Sequence, residues 1–128
     1  MGRLTILAVA VALLVAVGVT GCARAADAPR FFSTIEDLPL MPGLVEDDAA
    51  GVVFDSPQGR IVEAFATGGV AERDVRQFYT ATLPQLGWSE TSPGAFSRER
   101  EILKIEFPKD RNKGDRLTVR FALAPAAE

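Results

Sequence analysis

The chain has 128 residues, is 48% hydrophobic and carries a formal net charge of -3, with no histidine and one cysteine. Without histidine, the commonest general base and transition-metal ligand is missing, which excludes Ser/His/Asp catalysis and His-based metal hydrolysis. A single cysteine leaves nothing to pair with inside the chain, and the acidic balance argues against wholesale nucleic-acid binding.

The first element is an export signal. Arg3 precedes an apolar run from Leu4 to Val19 whose sole polar residue is Thr5, and the run ends in Thr20-Gly21-Cys22. A basic residue, an apolar stretch and then small residues form the order that export machinery reads. A buried core helix would need polar residues at a 3.6-residue period to make a wet face, and this run lacks them. Val19-Thr20-Gly21-Cys22 resembles the lipobox of bacterial lipoproteins. The resemblance implies a signal peptide over residues 1–21 and a diacylglycerol thioether on Cys22, which becomes the new N-terminus. It also implies a lipid-anchored protein of the cell envelope, facing the periplasm or the exterior. Ala23 rather than Asp after the cysteine implies the outer membrane if the cell is Gram-negative. Each buried acyl methylene contributes about 0.8 kcal/mol, and two or more chains anchor stably where one is marginal. Two other readings stay open. Ala23-Arg24-Ala25 also fits an A-x-A cleavage site that would release a soluble domain. The uncut run could itself be an anchor, although about 16 residues fall short of the ~20 that span a bilayer.

Removing the signal leaves about 107 residues, enough for one core and too few for two. Residues 22–34 read as a flexible tether, because Ala23 to Phe31 is small, polar and proline-bearing. At about 3.3–3.6 Å per residue, ten residues extend at most ~35 Å, so the tether keeps the domain close to its membrane. Residues 35–50 form a proline-containing extended segment, since Pro39 and Pro42 forbid a helix there. Leu38, Leu40, Met41 and Leu44 need a dry surface. They either cover an edge of their own domain or form a docking strip for an envelope protein partner. Glu46-Asp47-Asp48 lacks the oxygen spacing and glycine turn of a calcium loop and reads as a solvated turn.

An α+β domain follows over residues 51–124. Gly51 to Phe54 and Arg60 to Ala66 flank Asp55-Ser56-Pro57-Gln58-Gly59, the pattern of a β-hairpin. Its second strand is almost wholly apolar, which suggests a central position; its one charge, Glu63, is either at a wet margin, the reading favoured by its charge, or a buried acid. From Val70 to Leu86, residues Val75, Phe78, Tyr79, Thr82, Leu83 and Leu86 recur at steps of three and four, predicting an amphipathic helix of about four turns. Pro84 should end the regular helix near Leu83, and Gly87 should form a left-handed cap. Phe78, Tyr79 and Trp88 read as core against a sheet rather than as a ligand box. The run Phe78-Tyr79 with Leu83-Pro84-Gln85-Leu86-Gly87-Trp88 resembles the helix-to-strand junction of small uncharacterised bacterial envelope proteins, a likeness that implies no activity. A meander of Trp88–Thr91, Ala95–Arg98, Ile102–Phe107 and Leu117–Leu123 completes the domain, the last two strands alternating dry and wet faces. The expected fold is an antiparallel sheet with one amphipathic helix packed on one face, in the order ββαββββ, and residues 125–128 a frayed tail.

Lys109, Arg111, Lys113 and Arg116 gather around Asn112-Gly114 at the tip of the last hairpin. On a tethered domain they are candidates for contact with anionic headgroups, each close cation contributing about 1 kcal/mol. The alternative is a solvated loop whose charge Asp110 and Asp115 offset. Glu99 with Glu101 is flanked by Arg98 and Arg100, and Asp47 with Asp48 lies in a turn. Neither pair supplies a desolvated acid beside an ionised base. No catalytic residue, metal ligand or cofactor is therefore expected. The sequence points to a non-enzymatic binding or scaffolding domain held at a membrane. A binder of lipid or another hydrophobic ligand is the alternative, and it needs a cavity lined by Val75, Phe78 or Phe121.

Overall fold

The computed structural model describes residues 28–127; the signal, Cys22 and the first part of the tether lie outside the described residues. In chain order the strands are β1 (Arg30–Phe31), β2 (Pro39–Leu40), β3 (Val45–Glu46), β4 (Val52–Ser56) and β5 (Gly59–Gly68). After helix α1 (Glu72–Thr82) come β6 (Ser89–Ser92), β7 (Ala95–Arg98), β8 (Glu101–Glu106) and β9 (Leu117–Pro125). Seven strands form one antiparallel sheet in the order β3-β5-β9-β8-β7-β6, with β4 also paired to β5. The expected α+β architecture is present, with the helix between β5 and β6. Two features were not anticipated: the short strand β3, and a separate pairing of β1 with β2.

The near-continuous apolar character of β5 is explained by its position. One edge pairs with β9 from Val62 to Gly68, while the other is shared by β4 and β3. Alternation along the strands then sends Val62, Ala64, Phe121, Leu123, Leu103 and Ile105 toward the helix, where all are buried. Val75, Tyr79 and Leu83, spaced one turn apart on the helix, are fully buried over them. The helix ends as its composition predicts. Regular geometry stops at Thr82, a 3-10 turn runs from Leu83 to Leu86 around Pro84, and Gly87 caps it at φ +89°. Leu86 is the exception on this face: the tightening of the 3-10 turn rotates it outward, and it is exposed.

The segment before β4 corrects one expectation and decides between two others. Phe32, assigned to the tether, is buried with its ring 4.6 Å from that of Phe121. Leu38, Leu40 and Leu44 are buried and Met41 packs against the same core. These four residues are therefore not a free docking strip; they cover their own domain beside the helix. The wrap takes this path because Pro42 and Gly43 occupy the centre of a turn closed by the Leu44 amide donating to the Met41 carbonyl at 3.0 Å. Gly43 lies at φ +96°, the signature of a type II turn.

One buried polar group pins the wrap to the helix. The Tyr79 hydroxyl donates to the Pro39 carbonyl at 2.9 Å and accepts from the Met41 amide at 3.2 Å. Burial pushes this phenol well above its ordinary range, and the Met41 amide only partly opposes that. Tyr79→Phe keeps the ring but orphans both backbone groups, so a loss of about 1–3 kcal/mol is expected. Thermal unfolding should register this as a fall of roughly 4–8 °C for each kcal/mol. Arg98 adds a second clasp: its guanidinium lies 4.3 Å from the Trp88 ring centroid, pairs with Asp37 of the wrap, and donates to the Leu86 carbonyl at 3.3 Å.

The C-terminal tail is also shorter than expected. Pro125 pairs with Glu101, and the Ala126 amide donates to the Arg100 carbonyl at 2.7 Å, so β9 zips past the predicted domain end.

Candidate functional site

Helix and wrap both cover the same face of the sheet. The opposite face is built from the alternate residues of each strand and is open to solvent over much of its area. Near one end it is apolar. The register sets Phe54 against Ile61 and Val52 against Glu63, and the three apolar residues are 59%, 42% and 57% exposed in the order Phe54, Ile61, Val52. Ala122 and Ala124 of β9 continue this surface, because Glu63 pairs with Ala122 and Ile102 with Ala124. Val53 points to the helix side with Val62, yet it is 55% exposed, since Val62 marks the margin of the buried core. Exposed apolar neighbours gathered on two adjoining strands are the kind of patch that marks an interaction surface.

Toward the middle of this face the chemistry changes. Arg120 donates from Nε to Glu63 Oε1 at 2.8 Å and also pairs with Glu106. The Arg120 hydrogen bond holds the Glu63 carboxyl below its ordinary range, against an opposing push from burial. Glu63 is thus a half-buried acid, paired on the open face of the sheet, intermediate between the two readings of its sequence position. Beyond it Phe65 is buried under the Arg111 guanidinium, 4.5 Å from its ring centroid.

That contact reorganises the predicted basic tip. Lys109–Arg111 forms a 3-10 turn and Lys113 bridges Arg116. The loop is held down by the Thr118 hydroxyl donating to the Arg111 carbonyl and by the Thr118 amide donating to Asn112 Oδ1, both at 2.8 Å. Lys109, Arg111, Lys113 and Arg116 are all exposed, and the Arg111 guanidinium also lies over the Phe65 ring. Asp47 and Asp110 line the same open depression, of about 340 Å³, as Arg111 and Lys113, so its charge is mixed.

Val75 and Phe121 are fully buried and tightly packed. Phe78 lines an open depression of about 660 Å³ together with Pro29, Arg30, Pro39 and Pro42, outside the core between helix and sheet. Glu101 is paired with Arg60 at 3.3 Å, and Glu99 sits in the adjoining turn at φ +54°. Among the described residues no group of three or more acids, cysteines or histidines is placed to hold a metal ion. Among them, too, no helix is long and apolar enough to cross a membrane.

Sequence reasoning recognised the β4–β5 hairpin but missed its exposure. A signal was present in Val52-Val53-Phe54: three consecutive apolar residues on a strand cannot all face one core. Comparison with protein-family models, with curated proteins and with solved structures finds no match to this chain.

Proposed function

We propose that this is a lipid-anchored envelope protein that acts as a non-enzymatic binding or scaffolding domain at the membrane surface. The observation that carries the reading is Thr20-Gly21-Cys22 at the end of the apolar run, the position at which a lipoprotein signal presents its cysteine. The exposed apolar surface of Val52, Phe54 and Ile61 supports the binding role. From Cys22 to Arg30, the first residue of β1, the chain reaches at most about 29 Å, so an acylated Cys22 holds the folded domain close to its bilayer.

Intact-mass analysis of the protein purified from bacterial membranes tests the anchor. The expected product begins at Cys22 and carries a diacylglycerol adduct, and Cys22→Ser leaves the signal uncut and the chain unlipidated. A mature chain beginning at Ala26 with no adduct overturns the reading in favour of a released domain. A photo-crosslinking side chain at position 54, used in intact cells, tests the binding role. Protein adducts are expected there, and the absence of any adduct overturns it.

A further inference from the structure

The two edges of the main sheet are built differently. At one edge, β6 has the sequence Ser-Glu-Thr-Ser, is exposed throughout, and slips register against β7 between Glu90 and Ser92. Polar side chains and a bulge are devices that keep an edge from pairing with another chain. At the other, β4 pairs with β5 in unbroken register from Val52 to Ser56, contains no lysine, proline or bulge, and exposes Val52, Val53 and Phe54. Among the described residues, its outer edge has no strand beside it.

We infer that β4 is a self-pairing edge: β4 of one copy joins β4 of a second copy, antiparallel, about a two-fold axis through Val53. The choice of occupant follows from register. For the open faces of the two sheets to be continuous, outer-face residues must oppose outer-face residues, which restricts the symmetric pairings to those centred on a residue. Centring on Asp55 sets acid against acid, and like charges directly opposite each other destabilise a pair. Centring on Phe54 sets Asp55 against Val53, and centring on Val52 sets Phe54 against Ala50. Only the Val53 axis matches all three apolar residues with one another: Val53 meets Val53 of the second copy, and Val52 and Phe54 meet each other twice. Asp55, the one charge in β4, then lies opposite Gly51. The strand is its own complement in apolar character, and its one charge meets no like charge. Pairing also converts two free edges into a continuous sheet, and sets the Val52, Phe54 and Ile61 surfaces of both copies side by side. The contact needs no lipid anchor.

Opposed residues in an antiparallel pair have Cβ atoms about 4.5–5.5 Å apart, near the range a disulfide bridges with little movement. Val53→Cys in the full chain, purified from membranes in mild detergent and mildly oxidised, should give disulfide-linked dimer at least tenfold above Glu90→Cys on the β6 edge. Cys22 is common to both variants and contributes equally to each. Val53→Lys, at an exposed position that leaves the fold intact by circular dichroism, should convert a dimer into a monomer by light scattering. Equal crosslinking of the two cysteine variants, a monomeric wild-type protein, or a Val53→Cys product linked only to a different protein would each overturn the inference.

Discussion

Phe32→Ala is expected to destabilise the domain by about 3–5 kcal/mol, the range for deleting a buried aromatic ring. Phe32 lies ahead of every strand of the main sheet, in a stretch whose composition resembles a linker, yet it is fully buried and its ring tilts against Phe121. Phe121 in turn lies 5.2 Å from Tyr79, so the three rings meet at tilted and edge-to-face angles from wrap to sheet to helix. Removing the first ring opens a cavity between elements far apart in sequence, and the wrap cannot collapse into it while Tyr79 holds Pro39 and Met41 in place. Urea unfolding measures the effect as a lower midpoint with an unchanged slope. A residue of a free linker would change stability by no more than about 0.5 kcal/mol, and such a result would remove the wrap from the core.

Gly68→Ala is expected to cost about 3 kcal/mol, at the upper end for an overpacked site. A β-carbon at this position would stand 2.1 Å from the Gly43 carbonyl oxygen and 3.1 Å from Leu44 Cδ2. The neighbour in the way is the backbone of the type II turn, which cannot rotate aside as a side chain can. Relief requires the whole Met41–Leu44 turn to lift from β5, which exposes Leu44. Gly69→Ala is the control: its β-carbon meets nothing within 4 Å, so a change within about 0.5 kcal/mol is expected. Equal effects at the two positions would show that the close approach of wrap and strand does not govern stability.

The legible part of the fold is the part with short-range causes. Steps of three and four from Val75 to Leu83 define the helix face, Pro84 and Gly87 define its end, and alternation in Leu103–Phe107 and Leu117–Leu123 separates dry from wet faces. The candidate surface was only half legible. The β4–β5 hairpin follows from its turn residues, but the exposure of Val53 depends on how far the helix layer extends, which no local pattern encodes. The basic tip was legible in the same partial way: charge composition locates Arg111 in a loop with Lys109, Lys113 and Arg116, all exposed, whereas the proximity of Phe65, more than forty positions earlier, decides where its guanidinium lies.

The sequence by itself determined the order of strands and helix from Val52 onward and the helix terminus, and it alone proposes the lipid anchor at Cys22, because each reading depends on residues adjacent along the chain. Only the tertiary structure decided that Phe32, Leu38, Leu40 and Leu44 belong to the core and that Val52, Val53 and Phe54 do not. Apolar character states that a side chain gains by leaving water, about 25 cal/mol for each Å² covered, but not which surface will cover it. That surface is supplied by elements distant in sequence. The wrap found it on Phe121 and Tyr79, and β4, at the margin of the sheet, did not.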